Sequence, residues 1–103
     1  MLIESVNGFD WNDGNLEKCQ KHGVSIQALE SAFQREISIF PDIIHSQDEE
    51  RFISIGKTYE GRSIFIVFTL RIIEKQKFIR PISARYMHKK EIEHYEKTIA
   101  RTS

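Results

Sequence analysis

Arginine recurs at the ends of the stretches richest in β-branched and aromatic residues. Arg62 opens Arg62–Leu70, Arg80 lies in Lys77–Ala84, and Arg85 follows it with Tyr86 and His88 close behind. Planar guanidinium groups grip a phosphate in bidentate fashion, and charge balancing at a pentacoordinate phosphorus is the main demand of a site that transfers a phosphoryl group. A second constellation, Lys21-His22-Gly23-Val24-Ser25, sets a cation and an imidazole beside a tight turn. Histidine can give or take a proton at neutral pH and lysine can hold a phosphate. Each pattern has a plainer account: solvated surface arginines, and a helix C-terminus whose cations meet the dipole and the free carbonyls.

Other chemistries find less support. His45-Ser46 with Asp48-Glu49-Glu50 offers metal-ligand types, but contiguous loop carboxylates lack the spacing that fixes a coordination geometry, so no metal is expected. Neither a Gly-rich phosphate loop, nor a catalytic carboxylate pair on one element, nor a Ser/His/Asp or Cys/His signature is present, and no cofactor is expected. Cys19 reads as a small core residue within a helix.

The elements that must position these residues follow from local chemistry. Phe9-Asp10-Trp11 reads as a short strand or the end of one. Asn12 or Asp13 can cap a helix to about Lys21 with Leu16 and Cys19 facing the core, and Gly23 can end it in a left-handed conformation. Ser25 can cap a second helix carrying Ile26, Leu29 and Phe33 on one face, which makes a helical hairpin. Glu36–Phe40 alternates as a strand stopped by Pro41, and an acidic loop, Asp42–Glu50, follows. Phe52–Thr58 and Arg62–Leu70 form a hairpin across Tyr59-Glu60-Gly61, the second strand being apolar on both faces and hence central. Lys77–Ala84 reads as a strand that Pro81 restricts to an edge or a bulge. His88–Arg101 reads as a helix with Ile92, Tyr95 and Ile99 on its inner face. Helices, an antiparallel meander and a last helix make an α+β fold in a single domain, residues 1–103.

Charge is divided along the chain: residues 1–50 hold three Lys/Arg against ten Asp/Glu, and residues 51–103 hold twelve against five. The division fits a polyanion-binding surface on the second half, or two halves that attract each other. One cysteine excludes an internal disulfide framework, the start Met-Leu-Ile-Glu lacks a signal-peptide layout, and Ile64–Leu70 is too short to span a bilayer as a helix. A cytoplasmic, reducing compartment without a membrane role is expected.

Taken in order, Phe9-Asp10-Trp11, Asn15-Leu16-Glu17-Lys18, Lys21-His22-Gly23-Val24-Ser25, His45-Ser46, Glu50-Arg51-Phe52-Ile53-x-Ile55-Gly56, Gly61-Arg62 and Ile82-Ser83-Ala84-Arg85, before a helix with Glu91 and Tyr95, resemble the BrnT toxin family over nearly the whole chain. The resemblance implies a RelE-like α+β fold, a type II toxin that cleaves RNA and halts translation, and a cognate BrnA-type antitoxin, in a homodimer or a toxin-antitoxin hetero-oligomer. It further implies 2′-hydroxyl attack on the adjacent phosphate with protein cations stabilising the transition state. In that reading Arg51, Arg62, Arg80 and Arg85 bind the phosphate, and His22 with Lys21 assists proton transfer or anchors the backbone. Cys19-Gln20-Lys21 is interposed where relatives run from Asn-x-x-Lys into His-Gly-Val, so Lys18 and Lys21 compete as the family lysine, with Lys21 preferred. Pro81 stands where relatives have an ordinary strand residue and can re-aim Arg80. The competing function is a non-catalytic module that binds a basic partner segment and co-regulates an operon.

Overall fold

The computed structural model describes residues 6–102. Its first helix, α1 (Asp13–Gln20), starts at a reciprocal cap: Asn12 Oδ1 accepts from the Asn15 amide, and Asn15 Oδ1 accepts from the Asn12 amide. Lys21 is the C-cap, and Gly23 at φ +83° turns the chain where a side chain would be strained. Ser25 then accepts from the Ala28 N–H to begin α2 (Ile26–Phe33). The expected hairpin is present, with Cys19 fully buried and Leu16 only half-buried.

Four strands follow, β1 (Ser38–Pro41), β2 (Arg51–Lys57), β3 (Ser63–Ile73) and β4 (Gln76–Tyr86), in an antiparallel meander of that order. A last helix, α3 (Lys89–Thr102), completes the α+β architecture. Pro41 lies within β1 rather than beyond it, which its missing N–H permits on a sheet edge. β3 is interior, as its two apolar faces imply. β3 and β4 are longer than their composition indicates. A two-residue turn joins them, with Glu74 at φ 50° and Lys75 at φ 66°.

Residues paired across strands share a face, so the register sorts the sheet into two surfaces. One carries Ser54, Ile64, Ile66, Phe68, Ile79 and Ala84, and α2 closes it with Ala28, Leu29, Ala32 and Phe33. Phe33 meets Phe68 edge-to-face at 5.3 Å, and Phe52 stacks on Phe68 at 5.3 Å. This is the core.

The opposite surface holds three rows. Ser38, Ile55, Phe65 and Arg85 form one, Phe40, Ile53, Val67 and Ser83 the next, and Arg51, Thr69 and Arg80 the third. α3 lies over the first row: Tyr95 donates its hydroxyl hydrogen to Ser38 Oγ, and Glu91 pairs with Arg85. Ile92 and Tyr95 are half-buried, as the helical stripe requires. The side chain of Ile99, its third member, lies outside the described residues.

The register slips between Val67 and Phe68, which pair with Ser83 and Pro81, so Ile82 has no partner and β4 carries a bulge there. Pro81 therefore sits, buried, on the last strand of the sheet and at its irregularity, both of which its chemistry favours. The segment before α1 runs beside the outer edge of β4. Asn7 and Asp10 donate to the carbonyls of Lys77 and Ile79 at 2.7 and 2.8 Å, and Phe9 forms an isolated parallel bridge with Ile79. Trp11 Nε1 donates to Glu30 at 2.8 Å, tying this segment to α2.

Candidate functional site

The third row makes the most concentrated cationic surface on the open face of the sheet. Arg51 begins β2, Arg80 precedes the bulge of β4, and both are paired with Thr69. Thr69 is buried between them and donates its hydroxyl hydrogen to Glu50 O at 2.6 Å. One pleat further along β3, Arg71 rises on the same face, and α1 brings Lys18 to the rim. Lys18, Arg51, Arg71 and Arg80, with Glu49, Pro81 and Ile82, bound a cleft of about 300 Å³.

Each cation is held differently. Arg80 Nη1 donates to Asp10 Oδ2 and Nη2 to Asn12 Oδ1, both at 3.3 Å, so its guanidinium is aimed from the N-terminal segment. Arg71 Nη1 donates to Glu49 Oε2 at 2.6 Å. Arg51 Nε is buried without a hydrogen-bond partner, and no ion pair among the described residues engages its guanidinium. An unpaired cation on a half-buried stem, opposite a lysine and two oriented arginines, attracts a dianionic group strongly.

Cys19 lies below this wall. Burial pushes its thiol up to about 11 although the Lys18 and Arg80 cations pull the other way, so it remains a neutral core group.

The expected site residues divide. Arg51 and Arg80 come together as the sequence reading requires. Lys21 and His22 are exposed in the turn after α1, and neither lines the cleft. Lys18, rather than Lys21, lines the cleft. Arg85 and Arg62 are not brought to it. Arg85 is five residues along β4 from Arg80, roughly 16 Å at strand rise. Its Nη1 and Nη2 donate to the two Glu91 oxygens at 2.8 Å, and its guanidinium lies over the Phe65 ring. Arg62 occupies the β2–β3 turn at the far end of the sheet and stacks on Tyr86, 3.5 Å from the ring centroid. Arg71 was missed by sequence reasoning because it falls beyond the apparent end of its strand; only the register of a longer β3 exposes it.

The acidic loop is internally organised. His45 Nδ1 lies 3.0 Å from Asp42 Oδ2, and among the described residues no cluster of His, Cys, Asp and Glu has metal-binding geometry. A roomier groove, about 520 Å³, lies between α3 and the sheet, but its cations Arg35 and Lys57 are matched by Glu36 and Glu96. Charge favours the smaller cleft for an anionic ligand.

Fold and cleft thus define an α+β protein that gathers cations on the uncovered part of a sheet. The family model for the BrnT ribonuclease toxin of type II toxin-antitoxin systems matches residues 11–91, from Trp11 through the first turn of α3. The chain belongs to that family. Membership implies an RNA substrate and an antitoxin protein as partner. No curated protein matches the chain in direct comparison. No helix among the described residues is long and apolar enough to cross a membrane.

Proposed function

We propose that this ribonuclease toxin cleaves RNA without a metal ion, at the cleft between Lys18, Arg51, Arg71 and Arg80, and thereby halts translation in the cytoplasm. The observation that carries this reading is the row Arg51–Thr69–Arg80, with a free guanidinium on one side and an oriented one on the other. Arg51 receives the non-bridging phosphate oxygens as the pentacoordinate species gains charge, and Arg80 faces them from the neighbouring wall. The substrate 2′-oxygen attacks the adjacent phosphorus, its proton leaves to a base, and the bond to the 5′-oxygen breaks with protonation of that oxygen. The products are a 2′,3′-cyclic phosphate and a 5′-hydroxyl. His22 or Lys21, from the turn after α1, assists proton transfer or grips the RNA backbone. Glu49 is the single carboxylate on the cleft wall and is held by Arg71, so the donor set suits an anion better than a metal cation.

A BrnA-type antitoxin neutralises the toxin by presenting acidic groups to the same cations, so its binding weakens with salt and with Arg51→Glu. Arg62→Glu, an obvious choice from sequence, leaves the cleft untouched.

The decisive experiment incubates purified chain with single-stranded RNA in EDTA. Cleavage with cyclic-phosphate ends is expected, reduced about a hundredfold or more by Arg51→Ala or Arg80→Ala. Undiminished cleavage by the double variant overturns the site, and cleavage that requires added Mg²⁺ overturns the metal-independent chemistry.

A further inference from the structure

Three main-chain groups, two from the segment before α1 and one from β4, converge on one buried side-chain amide. Asn15, 5% exposed, donates from Nδ2 to Asp10 O at 3.0 Å and to Pro81 O at 2.8 Å, and its Oδ1 accepts from Asn12 N–H at 2.7 Å. Both donor hydrogens of the amide are therefore used, and so is its oxygen.

A helix cap needs only part of this arrangement. The reciprocal bond with Asn12 satisfies the start of α1, whereas both amide hydrogens leave the helix, one of them reaching a residue 66 positions away. The places they reach bear on Arg80. Asp10 and Asn12 supply the carboxylate and amide oxygens that aim its guanidinium, and Pro81 is its neighbour at the bulge. Lys18 lies three residues on, on the same side of α1. One amide thus sets the position of the Arg80 backbone and of both groups that orient its side chain.

We infer that Asn15 is a positioning residue of the cleft, acting on RNA through Arg80. The inference rests on the reading of the cleft given above. Aspartate at this position keeps the cap but turns an oxygen toward two carbonyls, and an aliphatic side chain removes the donor from both, one of them at a buried position. Either change frees β4 to shift against α1. A displacement near 1 Å at a phosphate-binding group can cost on the order of a hundredfold in rate.

The test is a double-mutant cycle on the full chain, using Asn15→Ala and Arg80→Ala and the affinity for a 2′-O-methyl single-stranded oligonucleotide, which cannot be cleaved. Affinity is measured across a salt series, with the NMR signal of the Arg80 Nε–H followed in parallel. Asn15→Ala is expected to weaken binding roughly tenfold, to lower the salt slope by about 0.7, as loss of one phosphate contact does, and to move the Arg80 signal toward the position of a free arginine. In the Arg80→Ala background the same substitution is expected to change neither affinity nor slope. If Asn15→Ala does not fold, Asn15→Ser, which keeps one donor and adds no charge, is read in its place. An equal loss in both backgrounds, or an unmoved Arg80 signal, makes Asn15 a structural residue only and overturns the inference. Unaltered binding by Arg80→Ala alone overturns the cleft reading instead, so the two failures are distinguishable.

Discussion

Arg51 and Arg80 stand two strands apart on either side of Thr69, about 10 Å between their backbones by interstrand spacing. That separation lets two guanidinium groups approach one phosphate from opposite sides. It also ranks the cations by consequence. For single-stranded RNA, each phosphate-contacting cation contributes about 0.7 to the slope of log affinity against log salt. Arg51→Gln, Arg80→Gln and Lys18→Gln are expected to lower the slope by about that much each, and Arg62→Gln and Arg85→Gln to leave it unchanged. Anisotropy titrations with a 2′-O-methyl oligonucleotide measure it, and a lowered slope for Arg62→Gln with none for Arg51→Gln would place the site at the other end of the sheet.

Glu91 joins α3 to the sheet. The Arg85 guanidinium and then the His88 amide hold its carboxyl down at about 2, well below the usual carboxylate range. A depressed folded-state value stabilises the protein above the unfolded value, near 4.3, and that contribution is lost as pH falls from there toward 2. The pair is about one-third exposed, so solvent screening limits it to about 0.5–1 kcal/mol. Urea melts should show Glu91→Gln less stable than the parent at pH 6, with the gap closing toward pH 2. A gap that widens on acidification refutes the latch.

Cys19 should resist a thiol reagent at pH 8 in the native state and react at once in denaturant, since the buried group titrates at about 11. Native-state labelling as fast as that of a free thiol would show that α1 does not seal the core.

Phe68 is fully buried between Phe33 and Phe52. Phe68→Ala should cost about 3–5 kcal/mol, a large share of the stability of a domain this size. Tyr59→Ala, at an exposed turn position, should stay within about 0.5 kcal/mol of the parent. Equilibrium denaturation of the two variants compares them directly.

Local chemistry made the helical hairpin legible, because Asn12, Gly23 and Ser25 each satisfy or end a helix by short-range bonds that sequence spacing reveals. Pro81 was legible for a related reason, since it cannot donate to a ladder. The β3–β4 turn was hidden: Glu74 and Lys75 take positive φ without glycine or asparagine, so the turn is imposed by pairing of the flanking strands. Arg71 disappeared with it. Among the candidate residues, strand-end position selected Arg62, Arg80 and Arg85 and the family resemblance added Arg51, but which row each joins depends on register, a property of pairs of strands. Lys18 and Lys21 could not be separated until α1 was docked on β4 through Asn15.

The charge division along the chain also proved double-edged. Asp10 and Glu49, from the acidic half, hold Arg80 and Arg71 from the basic half. The attraction between halves and the cationic cleft are therefore the same arrangement: the acids orient two of its arginines, and Arg51 is left without an acidic partner among the described residues.

The hydrogen bond from Asn15 to Pro81 joins residues 66 positions apart. During synthesis α1 leaves the ribosome early and β4 late, so for most of translation Lys18 and Arg51 exist without the strand that completes their surroundings. The cationic cleft is complete only once the fourth strand has emerged, so its assembly is a late event in the making of the chain.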